Sequence, residues 1–332
     1  MAEKEMTMRE ALNLALDQAL AADERVFLLG EDIADPGASG PTAGLSTKYG
    51  HDRVMDTPIS EAAIVGAAIG AAIDGLLPVA EIMIMDFIGI AADQLINSAA
   101  KLRFMTAGRT TAPITVRTQV YGGLGTGATH SQTLEAWFMH IPGMKVIVPS
   151  TPRDGKGLLT SAIFDEDPCL FVETIRLQGQ KGSVPTDPGF SIPLGQADIK
   201  RAGSDVTLIS YGRSVLECLK AAKQLQQQEI NAEVVDLRTL VPLDIDTIVE
   251  SVRRTRRAVV VHDAVQFAGP GAEIVATLQA ECFAELTAPI ERVGARFVPT
   301  PAAAALEAQL YPSPTRIVNA VQRTLATAGA HG

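Results

Sequence analysis

Residues 56–73 read Asp56-Thr-Pro-Ile-Ser-Glu61-Ala-Ala-Ile-Val-Gly-Ala-Ala-Ile-Gly-Ala-Ala-Ile73. Pro58 closes an extended segment, Ser60 stands where a helix N-cap belongs, and Glu61 falls in the first turn. The helix over 62–73 is almost wholly Ala, Gly, Ile and Val, so burial on every side is expected. A carboxylate at the mouth of such a helix lies where water is scarce, and buried acids are costly without a partner or a task. The helix dipole alone also favours Glu in a first turn. By itself the stretch leaves a functional and a structural reading open.

Outward from this helix, strand and helix patterns alternate. A first helix opens at Thr7, with Glu10 completing a capping box, and carries Met8, Ala11, Leu12, Ala15, Leu16, Ala19 and Leu20 on one face. Strands are predicted over 26–29, 79–85, 114–117, 145–148 and 169–173, with an amphipathic helix over 90–105. Thr151-Pro152 caps another helix, running to about residue 164. Glycine and proline crowd 178–205, which predicts a linker at 181–204 between domains at 1–180 and 205–332. The second half continues with strands over 206–211, 232–237, 258–262 and 290–293. Helices are expected over 215–228, 245–255 and 272–286, and after Ser313-Pro314. The fold class is α/β: two doubly wound, mostly parallel sheets. Ligands of such sheets bind beyond the carboxyl ends of strands, here the loops after Met85, Arg117 and Val148.

With 332 residues the chain exceeds one ordinary core, which agrees with two domains. A formal charge of −10 argues against nucleic acid or an anionic membrane as main partner. The basic run Arg253-Arg254-Thr-Arg256-Arg257 ends a predicted helix, where cations suit the dipole. Cys169, Cys218 and Cys282 are far apart, with no metal or redox spacing, and fit a reducing cytosol. The charged N-terminal residues lack an apolar signal-peptide core, and the run 62–73 is too short to span a bilayer. The expectation is a cytoplasmic protein without membrane contact.

The loop Tyr121-Gly-Gly-Leu-Gly-Thr-Gly-Ala-Thr-His-Ser131 lets backbone approach a ligand closely. It lacks the Gly-Lys-Ser/Thr of a P-loop and the third glycine of a dinucleotide fingerprint. Delivery of His130 and Ser131 to a site is one reading; His130 capping a helix over 132–140 is the other. His140 reads as structural, and His262 is left open. No Gly-x-Ser-x-Gly elbow or metal-ligating His pair occurs.

In order and spacing, several motifs identify a resemblance that spans nearly the whole chain. They are Gly30-Glu-Asp32, Asp56-Thr-Pro-Ile-Ser-Glu61, Asp86-Phe-Ile-Gly-Ile-Ala-Ala-Asp-Gln-Leu-Ile-Asn-Ser-Ala-Ala-Lys101, His130-Ser-Gln132, Pro142-Gly-Met-Lys-Val146, Asp236-Leu-Arg-Thr-Leu-Val-Pro-Leu-Asp244 and Gly271-Ala-Glu-Ile274. The chain resembles the beta subunits of the thiamine-diphosphate-dependent decarboxylase component of 2-oxo acid dehydrogenase complexes, of pyruvate or acetoin type.

The resemblance implies a transketolase-like pyrimidine-binding domain followed by a transketolase C-terminal-like domain. In the family, the carboxylate matching Glu61 hydrogen-bonds a ring nitrogen of the cofactor's aminopyrimidine, favouring the tautomer that can deprotonate the thiazolium. Met83 and Phe87 match positions packing that ring, with Ile59 beside them. Their shared strand parity is equally expected of core residues. His130 matches a histidine assisting substrate or lipoyl chemistry. Ile114, Ala162, Ile163, Asp165 and Asp167 match a potassium site built largely of main-chain carbonyls.

No Gly-Asp-Gly occurs, the motif that holds magnesium and diphosphate in such enzymes. The resemblance therefore implies half of an active site, completed by an alpha subunit in an α2β2 heterotetramer that passes an acyl group to a lipoyl acyltransferase. The chain departs from the family at Ala34-Asp-Pro-Gly-Ala-Ser-Gly-Pro41, at Thr174-Ile-Arg-Leu-Gln-Gly179 and at Phe297, where many relatives carry Asp. The alternatives are a subunit of a split transketolase-like ketol transferase and a non-catalytic brace for the partner. Glu61 and His130 speak against the brace, which needs neither.

Overall fold

The structure is a computed structural model that describes residues 2–35 and 40–326. Pro36-Gly-Ala-Ser39, within the departing loop, lies outside the described residues. The chain divides into two compact units, one of residues 1–122 and 130–194, the other of 123–129 and 195–332.

Unit 1 runs β1 (Glu3–Thr7), α1 (Met8–Ala22), β2 (Val26–Gly30), α2 (Leu45–Tyr49), β3 (Val54–Asp56), α3 (Glu61–Ile73) and β4 (Leu77–Ile84). It continues with α4 (Ala100–Met105), β5 (Thr115–Val120), α5 (Glu135–Met139), β6 (Lys145–Ile147), α6 (Pro152–Ile163), β7 (Cys169–Thr174) and β8 (Lys181–Pro185). Unit 1 contributes six strands to one sheet, in the order β6-β7-β5-β4-β2-β3, each neighbour parallel to the next. The Thr7 capping box is present, and α1 buries the seven residues that its periodicity selects. Thr151 likewise caps α6, accepting from the Asp154 amide, with Pro152 at the first position.

Three local expectations change. Helix α3 is not buried all round: Ile64, Val65, Ala68, Ile69 and Ala72 face inward, while Ala63, Ala67, Gly70 and Ile73 are exposed. An apolar stripe on every side outruns what one sheet face can cover. Ser60 occupies the N-cap position without a side-chain cap bond. The continuous helix over 90–105 is instead a 3-10 turn (Met85–Gly89), a π-helical segment (Gln94–Ala99) and α4. Such π segments are frequent at functional sites.

Unit 2 comprises β9 (Asp198–Arg201), β10 (Val206–Ser210), α7 (Ser214–Gln226), β11 (Ala232–Asp236), β12 (Thr239–Val241), α8 (Ile245–Thr255), β13 (Ala258–Val265), α9 (Pro270–Cys282), β14 (Glu291–Ala295), α10 (Ala304–Glu307) and α11 (Pro314–Ala326). Its five-stranded sheet has the order β14-β13-β10-β11-β9, parallel except for β9. The segment 181–204 thus contributes β8, antiparallel to β1, and β9, rather than only a structureless link. The basic run closes α8, with Arg254 paired to Glu233 and Arg256 in the left-handed C-cap. The three cysteines are buried and free, and burial raises each thiol above its usual range. No helix among the described residues is long and apolar enough to cross a membrane.

His262 is fully buried in β13. Its Nδ1 lies 3.0 Å from the Ala264 carbonyl, which can only accept, so Nδ1 carries the proton. Nε2 has no partner, and its ring stacks on Tyr211 at 6.3 Å. A Cβ on Gly271 would come within 2.7 Å of Nε2, so the ring is walled by backbone. Burial lowers the imidazole to about 4. His262 is a neutral core histidine.

Two predictions follow from this architecture. Gly143 has φ +99, and a Cβ there would lie 2.0 Å from the Ala100 carbonyl oxygen. Gly75 has φ +97 with nothing within 4 Å. Gly143→Ala should therefore cost about 3 kcal/mol or more, and Gly75→Ala only about 1–2 kcal/mol, in denaturant titrations. The second prediction concerns pH. The folded value of His262 lies below its unfolded one, so its contribution is complete above about pH 6.5 and is lost as pH falls toward about 4. That window is worth about 3 kcal/mol. Unfolding titrations of His262→Gln across the window should lack that component of the slope.

Candidate active site

Because the strands β6-β7-β5-β4-β2-β3 of unit 1 are parallel, their carboxyl ends deliver side chains to one edge. After β2 come Glu31 and Asp32, the latter at φ +53. After β3 comes the 57–60 turn, leading to Glu61; after β4 come Asp86 and Phe87; after β5 comes Tyr121. Asp56 Oδ1 accepts from the Ile33 and Ala34 amides, both at 2.8 Å, and the Thr57 amide donates to the Gly30 carbonyl at 2.9 Å. These bonds tie the loops after β2 and β3 together. Gly30 itself is required, since a Cβ would lie 2.9 Å from the Glu81 carbonyl oxygen.

Glu61 opens α3 and is 8% exposed. Among the described residues no hydrogen bond or ion pair engages its carboxylate. Burial, then Asp32 and Glu61, raise Glu31 above the usual carboxylate range, so three acids crowd this corner. Ile59 is 72% exposed on the turn before the helix. Met83 and Phe87 are half-buried. They do not share strand parity, because β4 ends at Ile84 and Phe87 lies on the 3-10 turn. Its ring instead meets His130 edge-on, with centroids 5.3 Å apart. His130 does not cap a helix over 132–140, for α5 begins only at Glu135. Asp86 holds the segment just after the histidine, accepting from Gln132 Nε2 at 2.9 Å.

The glycine-rich loop has positive φ at Gly123, Gly125 and Gly127. Within unit 2, the Gly123 and Gly125 amides donate to the two carboxylate oxygens of buried Glu307, at 2.7 and 2.8 Å. A carboxylate thus fills the place that a phosphate would take in a nucleotide-binding loop.

The candidate cation residues adjoin one another at the opposite, amino edge of the sheet. Ile114 precedes β5, and its carbonyl accepts from the Cys169 amide at 2.9 Å. Ala162 and Ile163 end α6, where helix carbonyls carry the negative end of the dipole. The Asp165 carboxylate is held by Lys145 Nζ at 2.6 Å, and Asp167 by Arg103 Nε at 2.6 Å. Among the described residues no group of three or more His, Cys, Asp or Glu could hold a metal ion. A cation here would rest on main-chain oxygens, as a hard ion accepts.

Sequence reasoning missed a buried charge cluster. Arg117 in β5 is 1% exposed and donates to Glu81 of β4 at 2.7 Å and to Glu173 of β7 at 2.8 Å; Gln178 satisfies the other Glu173 oxygen at 2.8 Å. Burial opposes the guanidinium charge, but the two carboxylates outweigh it and raise Arg117 above its ordinary value. Only the lone charged residue within each predicted strand, Glu81 in 79–84 and Arg117 in 115–120, could have hinted at it.

Comparison with known proteins agrees with this architecture. The transketolase pyrimidine-binding domain family matches residues 4–179, and the transketolase C-terminal domain family matches 195–317. The chain is 45% identical over 326 residues to the mitochondrial pyruvate dehydrogenase E1 component subunit beta-2 of Oryza sativa subsp. japonica, covering 97% of this chain and 87% of that one. It is 44% identical over 333 residues to the acetoin:2,6-dichlorophenolindophenol oxidoreductase subunit beta of Cupriavidus necator, covering 97% and 98%. The Bacillus subtilis protein of the same name is 44% identical over 327 residues, covering 95% of each. Among solved structures, a split-gene transketolase in an inactive beta4 tetramer superimposes with a TM-score of 0.80 at 24% identity, covering 97% of this chain and 99% of that one, a likeness of fold alone.

Proposed function

This chain belongs to the family of beta subunits of thiamine-diphosphate-dependent 2-oxo acid and acetoin dehydrogenases, and on that premise we propose that it forms the pyrimidine-binding half of an active site shared with an alpha subunit. The observation that carries the reading is Glu61: a residue 8% exposed, at a helix start on the carboxyl edge of a parallel sheet, whose carboxylate makes no hydrogen bond or ion pair among the described residues. A carboxylate left available in this way can take a hydrogen-bonding counterpart from outside the chain, and a ring nitrogen of the aminopyrimidine is one. The site therefore fits the cofactor.

When bound, thiamine diphosphate supplies a carbon nucleophile and an electron sink for cleaving the bond next to a carbonyl. The chain's own residues have simpler tasks. Glu61 holds a proton at the pyrimidine ring nitrogen. Met83 and Phe87 offer apolar contact to the ring, and exposed Ile59 closes over it once a partner covers the edge. His130, against Phe87, donates or accepts a proton near the substrate carbonyl or the lipoyl thiol, as an imidazole can near neutral pH.

The diphosphate and its magnesium ion are assigned to the alpha subunit, because this sequence lacks Gly-Asp-Gly and its glycine loop is already occupied by Glu307. Exposed Met55 and Ile59, with the small-residue outer face of α3, support an interface there and an α2β2 assembly. The acceptor is a lipoyl group on an acyltransferase, and the donor is pyruvate, acetoin or a branched 2-oxo acid. The buried, separated thiols suit a cytoplasmic setting. A structural potassium ion is assigned to the carbonyls around Ile114, Ala162, Ile163, Asp165 and Asp167.

The test is to co-express the chain with its alpha subunit and follow dichlorophenolindophenol reduction with thiamine diphosphate, magnesium and each donor in turn. One donor should turn over, and Glu61→Ala should lower kcat by about 100-fold or more. Robust turnover by this chain alone, or by the Glu61→Ala complex, overturns the reading. For the cation, the complex should melt higher in potassium than in choline chloride at equal ionic strength; equal melting removes the potassium assignment.

A further inference from the structure

The strand that carries Met83 breaks register at that residue. Glu81 and Ile82 of β4 pair with Arg117 and Thr118 of β5, but the next pair is Ile84 with Gln119, so Met83 is one residue too many. Such a bulge bends its strand and re-aims the side chain, and bulges recur beside active sites. Its position depends on the register of the preceding pairs. That register is poorly specified by hydrophobic pattern, because β4 reads Leu-Pro-Val-Ala-Glu-Ile-Met-Ile and is apolar on both faces, as buried parallel strands are.

One feature does specify it. Glu81 and Arg117 are direct partners across β4 and β5, and their side chains form a hydrogen-bonded ion pair at 2.7 Å. The same guanidinium reaches Glu173 of β7, one strand farther on, through Nε at 2.8 Å. A one-residue shift of β4 would turn Glu81 to the other face and break its pair with Arg117, and a shift of β5 would turn Arg117 away and leave both carboxylates without their counter-charge. The clasp therefore fixes three strands relative to one another directly below the bulge.

We propose that Arg117 is a positioning residue for the pyrimidine pocket: by holding Glu81 and Glu173 it sets the register from which the Met83 bulge begins, and so presents Met83 and Phe87 to the ring that Glu61 binds. The proposal rests on the cofactor reading given above. It goes beyond that reading by giving a specificity role to side chains that touch neither cofactor nor substrate.

Two variants of the assembled α2β2 complex test it, read by calorimetric titration with thiamine diphosphate in excess magnesium and by thermal melting. Arg117→Lys keeps one charge but loses the fork that spans two carboxylates. The triple variant Glu81→Leu, Arg117→Met, Glu173→Leu replaces the clasp with apolar volume, an exchange that often leaves stability unchanged or higher. In both, the Kd for thiamine diphosphate should rise about tenfold or more, and in the triple variant without loss of melting temperature. A purely structural clasp would lower melting temperature and leave the Kd of the folded complex unchanged, and that outcome overturns the proposal. Glu61→Ala in the same titration separates the two ideas. If it weakens binding while both clasp variants bind as wild type, only the positioning role falls. If Glu61→Ala binds and turns over as wild type, the pocket reading falls and the proposal with it.

Discussion

The constraint on which the rest of unit 1 depends is direction. The six strands that it contributes to its sheet run the same way, so every residue that follows one of them is delivered to one edge and every residue that precedes one to the other. Glu31, Glu61, Phe87 and Tyr121 are far apart in sequence and adjacent in consequence. The candidate cation residues, which lie before β5 and β7, are displaced by the same rule to the far edge. No special pairing is needed to separate the two; parallel connection through helices imposes it.

Parallel strands buried on both faces carry a cost in specificity. Apolar residues on either side make adjacent registers nearly equivalent in burial, so another device must choose among them. Arg117 with Glu81 and Glu173 is such a device. Removal of one partner of a buried ionic cluster costs about 3–5 kcal/mol, while exchange of the whole cluster for apolar groups often costs nothing. Net stability alone therefore does not account for the cluster. Selection of one register over its neighbours does, and the irregularity at Met83 lies one residue past the pairs that it selects.

Legibility in the sequence followed the distance over which each feature is decided. The capping box at Thr7, the Thr151-Pro152 helix start and the strand alternation of unit 2 are settled within a few residues, and the structure bears them out. Glu61 was readable as a helix-start carboxylate, but the absence of a hydrogen bond or ion pair to it among the described residues was not. The Met83 bulge depends on pairing with a strand more than thirty positions away, and the parity argument for Phe87 failed because the strand gives way to a 3-10 turn before that residue. The π segment at Gln94–Ala99 keeps helical periodicity to the eye and so passed as ordinary helix. The cation residues were visible only through family resemblance, because main-chain oxygens leave no mark on residue type.

Glu307 limits what the glycine-rich loop can bind. Its carboxylate is tethered beside the Gly123 and Gly125 amides and never diffuses away, so it competes for them at an effective concentration of about millimolar or higher. Free phosphate, nucleotides and the diphosphate arm of any cofactor meet a seat already taken. The loop keeps the shape of an anion receptor while being self-inhibited as one.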